Sequence, residues 1–398
     1  MIPSLRKQFN AKFTPDKYQQ FLQRIDQTCG AHVEFRLSET PCFFPKSLLD
    51  RMAADGKELI RQLVENPEYR RRSEGSIPEE FRVPHESARP LFVQVDFGLA
   101  RDANGELQPK LVELQAFPSL YAYQVAMAQS YIDVYGLTAF GPLNYFLGGL
   151  EELSYRELLR RAIVGDQDPE NVILMEIDPH RQKTFPDFAM TEKMLGIRTV
   201  DITWLRKDGR HLYYEYDGKR VPVRRIYNRA IVDELQRKRV KLAFDWRDDL
   251  DVEWAGHPNW YFRISKFSIP YLKHESVPKT WFLDKLDRIP EDLQNFALKP
   301  LYSFAGLGVV IAPKKEDIAA IPADKRGDYI LQERVHFEPV IETPFGLTKA
   351  EVRVMYVWLD ELQAVLTIIR MGRGLMMGVD HNRNMEWVGA SAAFYPAV

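Results

Sequence analysis

The chain is poor in the features that would set it apart from ordinary soluble enzymes. Its two cysteines in 398 residues, Cys29 and Cys42, make no CxxC pair. They supply neither a disulfide framework nor a zinc site, and are read as reduced structural residues. Nowhere do eighteen consecutive apolar residues occur, and the opening MIPSLRKQFNAKF has no apolar core of signal-peptide length. A membrane span and a leader are therefore not expected, and a cytoplasmic protein is. An excess of one charge is missing too. Lys+Arg of 54 against Asp+Glu of 56 leaves a formal net charge of −2, so no overall basic field recruits nucleic acid or an anionic membrane. The eight histidines never fall at HxH or HExxH spacing, and no Ser-His-Asp or Cys-His arrangement is readable, which removes support for hydrolase and zinc-enzyme readings. No internal repeat shows at any period.

What is present is globular. A hydrophobic fraction of 45% and a charged fraction of 28% exclude a mainly disordered chain, and the length is too great for one compact core. DKYQQFLQRIDQ is predicted as a helix and AHVEFRL as a strand. FPKSLLDRMAADGKELIRQLVEN and LYAYQVAMAQSYIDVYG have helical spacing. From about residue 151 the texture changes: LSYRELLRRAIVG (helix), NVILMEID (buried strand), FPDFAMTEKMLG (helix ended by Gly196) and IRTVDITWL (strand) argue for a parallel α/β layer.

Residues 91 to 119 carry the densest chemistry. LFVQVDFGL and KLVELQAF have strand character, and the Asn-Gly of DANGEL favours a tight turn, so a β-hairpin is expected. Period-two geometry places Asp96 with Gln94 on one face and Glu113 with Gln115 on one face of the next strand. Hard oxygen ligands so grouped suit Mg²⁺, completed by water and phosphate oxygens. The plainer reading is a half-exposed hairpin whose acids face water. Further along, Arg224, Arg225 and Arg229 form a cationic strand and loop that could clamp an acidic substrate, or simply be solvated. NFALKPLYSFAGLGVVIAP then joins two strands through a loop of small residues, Ser303, Ala305, Gly306 and Gly308, with Lys299 at the first strand's end. The loop's backbone N–H groups and that lysine could meet phosphate oxygens. It is not the Walker pattern, whose lysine follows the glycines and opens a helix. AEVRVMYVWL and LQAVLTIIRMGRG read as paired strands from which Arg353 and Arg370 project.

The wording V-D-F, turn, L-V-E-x-Q-x-x-P-S resembles the last motif of the ATP-grasp ligases, where an Asp and an E-x-N hold the magnesium ions of ATP. Here Gln115 stands for Asn and Ser119 for the common Gly. In that family the motif closes the domain, whereas here it precedes the other motifs. The order resembles the circularly permuted branch that includes glutathionylspermidine synthase, in its synthetase part only. The resemblance implies an α+β / α/β architecture: a permuted ATP-grasp fold with an additional α/β substrate domain of the pre-ATP-grasp kind. Residues 1–150 would hold the N-terminal arm and metal-binding part, 151–260 the substrate domain and 261–398 the nucleotide-binding lobe with the remaining strands. By the same resemblance Asp96, Glu113 and Gln115 bind Mg²⁺. Lys266, Lys299, Ser303, Ala305, Gly306, Gly308, Gln332, Glu333, Val335 and Glu338 bind ATP, and Asn382 and Asn384 lie near the γ-phosphate. Arg353, Arg370 and Lys299 stabilise the transferring phosphoryl group. The implied reaction joins a small carboxylate or peptide to an amine through an acylphosphate, with a homodimer as the default assembly. The competing expectation is a module that keeps the shape and holds nucleotide but makes no bond.

Overall fold

The computed structural model describes residues 1–302, 306–382 and 384–397. Helices α1 (Pro15–Cys29) and α2 (Lys46–Val64) come first. The hairpin strands β1 (Phe92–Arg101) and β2 (Leu107–Gln115) follow, and then helices α3 (Tyr123–Tyr135) and α4 (Glu152–Ile163). An α/β unit contains β3 (Val172–Glu176), α5 (Phe185–Leu195), β4 (Arg198–Asp201), β5 (Arg225–Asn228) and β6 (Glu253–Ala255). The last third supplies β7 (Thr280–Phe282), β8 (Phe296–Pro300), β9 (Val310–Ile311), β10 (Tyr329–Glu333), β11 (Pro339–Thr343), β12 (Gly346–Trp358), β13 (Leu362–Gly372) and β14 (Gly389–Ser391).

Three sheets organise the molecule. The largest is antiparallel in the order β14-β13-β12-β1-β2, with β11 also on β12, so the early hairpin and the late strands share one sheet. A second antiparallel sheet runs β7-β10-β8-β9. The third is parallel, β6-β5-β3-β4, the texture expected from its alternating strands and helices. One face of the large sheet (Val93, Val95, Phe97, Val352, Val354, Ile369) packs on the apolar stripe of α2 (Leu49, Met52, Leu59, Ile60, Leu63). The opposite face carries Phe92, Met355 and Val357 at one end, which join the core built around α3. Its other end is left for charged residues. That division follows from period-two alternation, because Asp96 points away from Val95 and Phe97.

The sequence reading needs correction in two elements. AHVEFRL is not a strand: only Leu37 forms an isolated bridge, to Ala390, because the segment meets the short β14 rather than a long partner. IRTVDITWL gives four strand residues and then a 3₁₀ turn, whose Thr203 N–H is capped by Asp201. Both cysteines are buried and unpaired. Among the described residues no helix is long and apolar enough to cross a membrane.

Candidate functional site

The charged end of the large sheet faces the second sheet, and the register fixes what meets there. Arg353 on β12 is paired with Asp96 on β1, Asp96 with Glu113 on β2, and Glu351 with Arg370 on β13. Arg353 grips Asp96 with both prongs, Nε to Oδ1 at 2.6 Å and Nη2 to Oδ2 at 2.7 Å, and donates through Nη1 to Gln94 Oε1 at 2.9 Å. Arg370 donates to the same Asp96 Oδ2 and lies 2.8 Å from Glu351 Oε1. Lys266, in a 3₁₀ turn, sits 3.2 Å from Glu113 Oε2.

A β-bulge completes the arrangement. Asp96 pairs with Glu113 but Phe97 with Leu111, so Val112 is the extra residue. Leu111 and Leu114 both stay buried while Val112 and Glu113 between them are only partly so, and the Val112 carbonyl is taken by Lys299 of the second sheet at 3.0 Å. Lys299 Nζ also donates to Gln332 Oε1 on β10 at 2.5 Å. Asp96, Glu113, Lys266, Lys299, Gln332, Arg353 and Arg370 are thus brought together from opposite ends of the chain.

The electrostatics follow from burial among mixed charges. Burial would raise the Glu113 carboxyl, but Lys266, Arg353, Lys299 and Arg370 outweigh it and hold the group down to about 2. Burial lowers Lys299 to about 8 despite Glu113. Glu351 is pushed up to about 7, first by burial and then by the Asp96 and Glu113 charges, against the pull of Arg370. For Arg370 burial works to lower the guanidinium, but Asp96 and Glu351 carry it above its usual value.

The other expected residues divide. Gln115 donates its amide to Gln94 Oε1 at 3.0 Å, which leaves its carbonyl as the group for a cation. The segment after β10 crosses the end of β1: Glu338 N–H donates to Leu99 O at 2.7 Å and its carboxylate pairs with Arg101 at 2.9 Å. Val335 packs over Gly98, where a Cβ would lie 2.9 Å from it and 2.7 Å from the Phe337 ring. Glu333 accepts from the Lys279 N–H at 3.3 Å, at the partly exposed edge of its strand. Gly306 and Gly308 adopt φ of +74° and +73°, and a Cβ on Gly306 would lie 2.7 Å from Met376 Cε. The loop after β8 therefore lies against the loop after β13. Ser303 and Ala305 lie outside the described residues.

Other placements differ from expectation. Asn382 is buried and bonds within its own loop, accepting from Arg373 N and donating to Met376 O, so it shapes that loop; Asn384 is exposed. Arg224, Arg225 and Arg229 do not form one clamp. Arg224 pairs with Asp251 at the surface, Arg225 with Glu253 and the carbonyls of Ala162 and Ile163, and Arg229 is buried against Asp187 at 2.5 Å. Only Arg225 lies within β5, with Arg224 before it and Arg229 beyond its end, so the three meet different neighbours. Glu351 and the Val112 bulge were not singled out from sequence. The E-V-R spacing that puts Glu351 on the face of Arg353 was a usable signal, whereas nothing in L-V-E marks a bulge.

Whether magnesium suits this site can be asked of the donors. Asp96, Glu113 and Gln115 are hard oxygen groups on paired strands, and among the described residues no three of His, Cys, Asp and Glu form a metal cage. That set fits a cation held largely through a ligand's own phosphates. Both Asp96 oxygens are engaged by arginines, so such a cation and its phosphates would have to draw Arg353 and Arg370 away.

No protein-family model matches the chain, and no curated protein does. Among solved structures it is similar to the apo form of a glutathione synthetase-like effector from Globodera pallida, with a TM-score of 0.56 and 11% identity over 97% of this chain and 99% of that one. The likeness is one of fold. The chain has a mixed α+β architecture with several sheets.

Proposed function

We propose that the protein is an ATP-dependent carboxylate–amine ligase of the ATP-grasp type, circularly permuted so that its metal hairpin comes first. The observation that carries this reading is the meeting of Lys299, from one sheet, with the acid-bearing bulge of the other, amid Lys266, Arg353 and Arg370. Four cations against three carboxylates make a cleft suited to a polyanion rather than to a neutral ligand. A carboxylate is a poor acyl donor because oxide leaves badly, and phosphorylation turns that oxygen into a leaving group. Lys299 and Lys266 would neutralise the bound phosphates. Arg353 and Arg370 would oppose charge on the phosphoryl group in transfer, the stabilisation that this chemistry chiefly needs. Magnesium, held by Asp96, Glu113 and Gln115, would supply further charge neutralisation. Gly306 and Gly308 would let the loop over the phosphates approach closely, and Gln332 with the segment Glu333 to Glu338 would border the base.

The test is ADP release over a panel of small acids and amines, polyamines and amino acids first, with hydroxylamine present to trap an acylphosphate as hydroxamate. Hydroxamate that depends on both ATP and an added acid supports the ligase. A second reading, a nucleotide-binding module without ligase activity, is favoured by the double arginine grip on Asp96. It would give Mg-ATP-dependent thermal stabilisation, reduced in Asp96→Asn, with no hydroxamate for any acid.

A further inference from the structure

Arg370 has two acids within reach, and the sheet makes them unequal. Its directly opposed neighbour across the β12–β13 ladder is Glu351, the placement in which cross-strand side chains meet most readily. Asp96 stands two strands away on β1, where it is opposed by Arg353. The guanidinium is nevertheless committed to the farther acid, with Nη2 donating to Asp96 Oδ2. Its Nε lies 2.8 Å from Glu351 Oε1, yet that N–H makes no hydrogen bond among the described residues. Native interiors seldom leave a buried donor so. Here the acceptor is already in place, and a small turn of the guanidinium would supply it.

Glu351 also differs in kind from the other acids of the cleft. It stands opposite Gly98, two residues beyond Asp96 on β1, so it borders the pair Asp96 and Glu113 without belonging to it. Among the described residues its only ion-pair partner is Arg370. Arg353, when drawn off Asp96, keeps Gln94 Oε1 at 2.9 Å; the matching acceptor for Arg370 is Glu351. Burial first, and then the Asp96 and Glu113 charges, hold the Glu351 carboxyl up to about 7. A cation that offset those charges would make Glu351 the stronger acceptor. Because Glu351 adjoins the Nε edge of Arg370, an arginine held there keeps both terminal nitrogens for a phosphoryl group.

We propose that Glu351 is a positioning residue that receives Arg370 through Nε when a divalent cation claims Asp96, and so lowers the cost of loading the metal. This inference rests on the reading of Asp96 as a metal ligand, and the test separates the two. The full chain is titrated with Mn²⁺ in the presence of adenylyl imidodiphosphate, and the electron paramagnetic resonance signal of free Mn²⁺ reports the bound fraction. Glu351→Gln should weaken Mn²⁺ by about tenfold or more, as the loss of groups behind a metal ligand commonly does, and leave binding of the analogue in EDTA near wild type. In an Arg370→Met background the same substitution should change Mn²⁺ affinity by no more than about twofold, because nothing is left for Glu351 to receive. A second measurement needs no Glu351 variant: in protein labelled with ¹⁵N-arginine, the Arg370 Nε–H resonance, assigned by its loss in Arg370→Met, should shift and exchange more slowly with water once Mg²⁺ and the analogue are added. Wild type that binds no Mn²⁺, or Asp96→Asn that binds it equally well, overturns the metal reading and this proposal with it. Wild-type Mn²⁺ affinity in Glu351→Gln, an equal loss in the Arg370→Met background, or an Arg370 Nε–H signal that Mg²⁺ and the analogue leave unmoved overturns the role of Glu351 alone.

Discussion

The Lys299 ammonium donates to the Val112 carbonyl at 3.0 Å, and this single hydrogen bond ties the two antiparallel sheets together at the head of the cleft. It exists because the bulge takes Val112 out of the β1–β2 ladder. The same lysine is buried and held at about 8, first by burial, with Glu113 working against the shift. A polyphosphate beside it would raise that value, since an opposite charge favours the protonated form. At pH 8.5 binding of ATP or pyrophosphate is therefore expected to take up a proton. Calorimetry in two buffers of different ionisation enthalpy measures the uptake, and it should vanish in Lys299→Met. Binding that moves no proton at pH 8.5 would show that the anion does not sit against Lys299.

Glu351 gives a second pH signature. Its folded carboxyl stands at about 7 against an ordinary 4.5, raised first by burial. The folded state then holds a proton that the unfolded state has lost, so this group's stabilisation is complete below about pH 4.5 and is lost as pH rises through 7. Glu113 works with the opposite sign and at lower pH, because its depressed value places its loss below pH 4.5. Between pH 5 and 8 the melting temperature of Glu351→Gln relative to wild type should therefore climb. A parallel pair of curves would mean that Glu351 titrates as an ordinary glutamate.

Gly98 is the point where β1 admits the segment following β10. A Cβ there would lie 2.7 Å from the Phe337 ring and 2.9 Å from Val335 Cγ1. Gly98→Val should cost about 1–3 kcal/mol by overpacking, measurable by urea unfolding. If nucleotide binds along this segment, its affinity should fall as well. Adding Phe337→Ala should return part of the lost stability, because the two substitutions act on one contact.

How much of this was legible beforehand depended on the range over which each feature is determined. The hairpin of Asp96 and Glu113 rests on local alternation and an Asx-stabilised turn, where Asp102 Oδ1 accepts from the N–H of Asn104 and Glu106. Helix α5 ended at Gly196, in the left-handed conformation, as its sequence required. The shared sheet was reached only through the order of motifs, since nothing near residue 96 names residue 353 as its neighbour. The arginine grip on Asp96 lay beyond pattern reading because it is settled by pairing between residues 257 apart in the chain, and the bulge at Val112, although local to the hairpin, leaves no mark in the wording L-V-E. The middle arginines misled for the same reason. Charge density in sequence carries no information about which face each side chain takes.

Arg229 makes that last point testable. Its guanidinium is 3% exposed and pairs at 2.5 Å with Asp187, itself 1% exposed. Asp187 in turn accepts the N–H groups of Leu120, Ala122 and Tyr123 at 3.0 to 3.1 Å, so the pair joins the α/β unit to the start of α3, shortly after the β1–β2 hairpin. Removing one partner of a buried pair leaves an uncompensated charge and costs about 3–5 kcal/mol. Arg229→Met and Asp187→Ala are each expected to lower stability by that order. The double variant should be less destabilised than the sum of the singles, since it strands no lone charge. If Arg229 instead recognised a substrate carboxylate, its replacement would raise KM for the acid while leaving the urea midpoint in place. The burial of its charge beneath Phe188 and Phe117, whose rings lie 4.9 and 5.8 Å from the guanidinium, argues for the structural outcome.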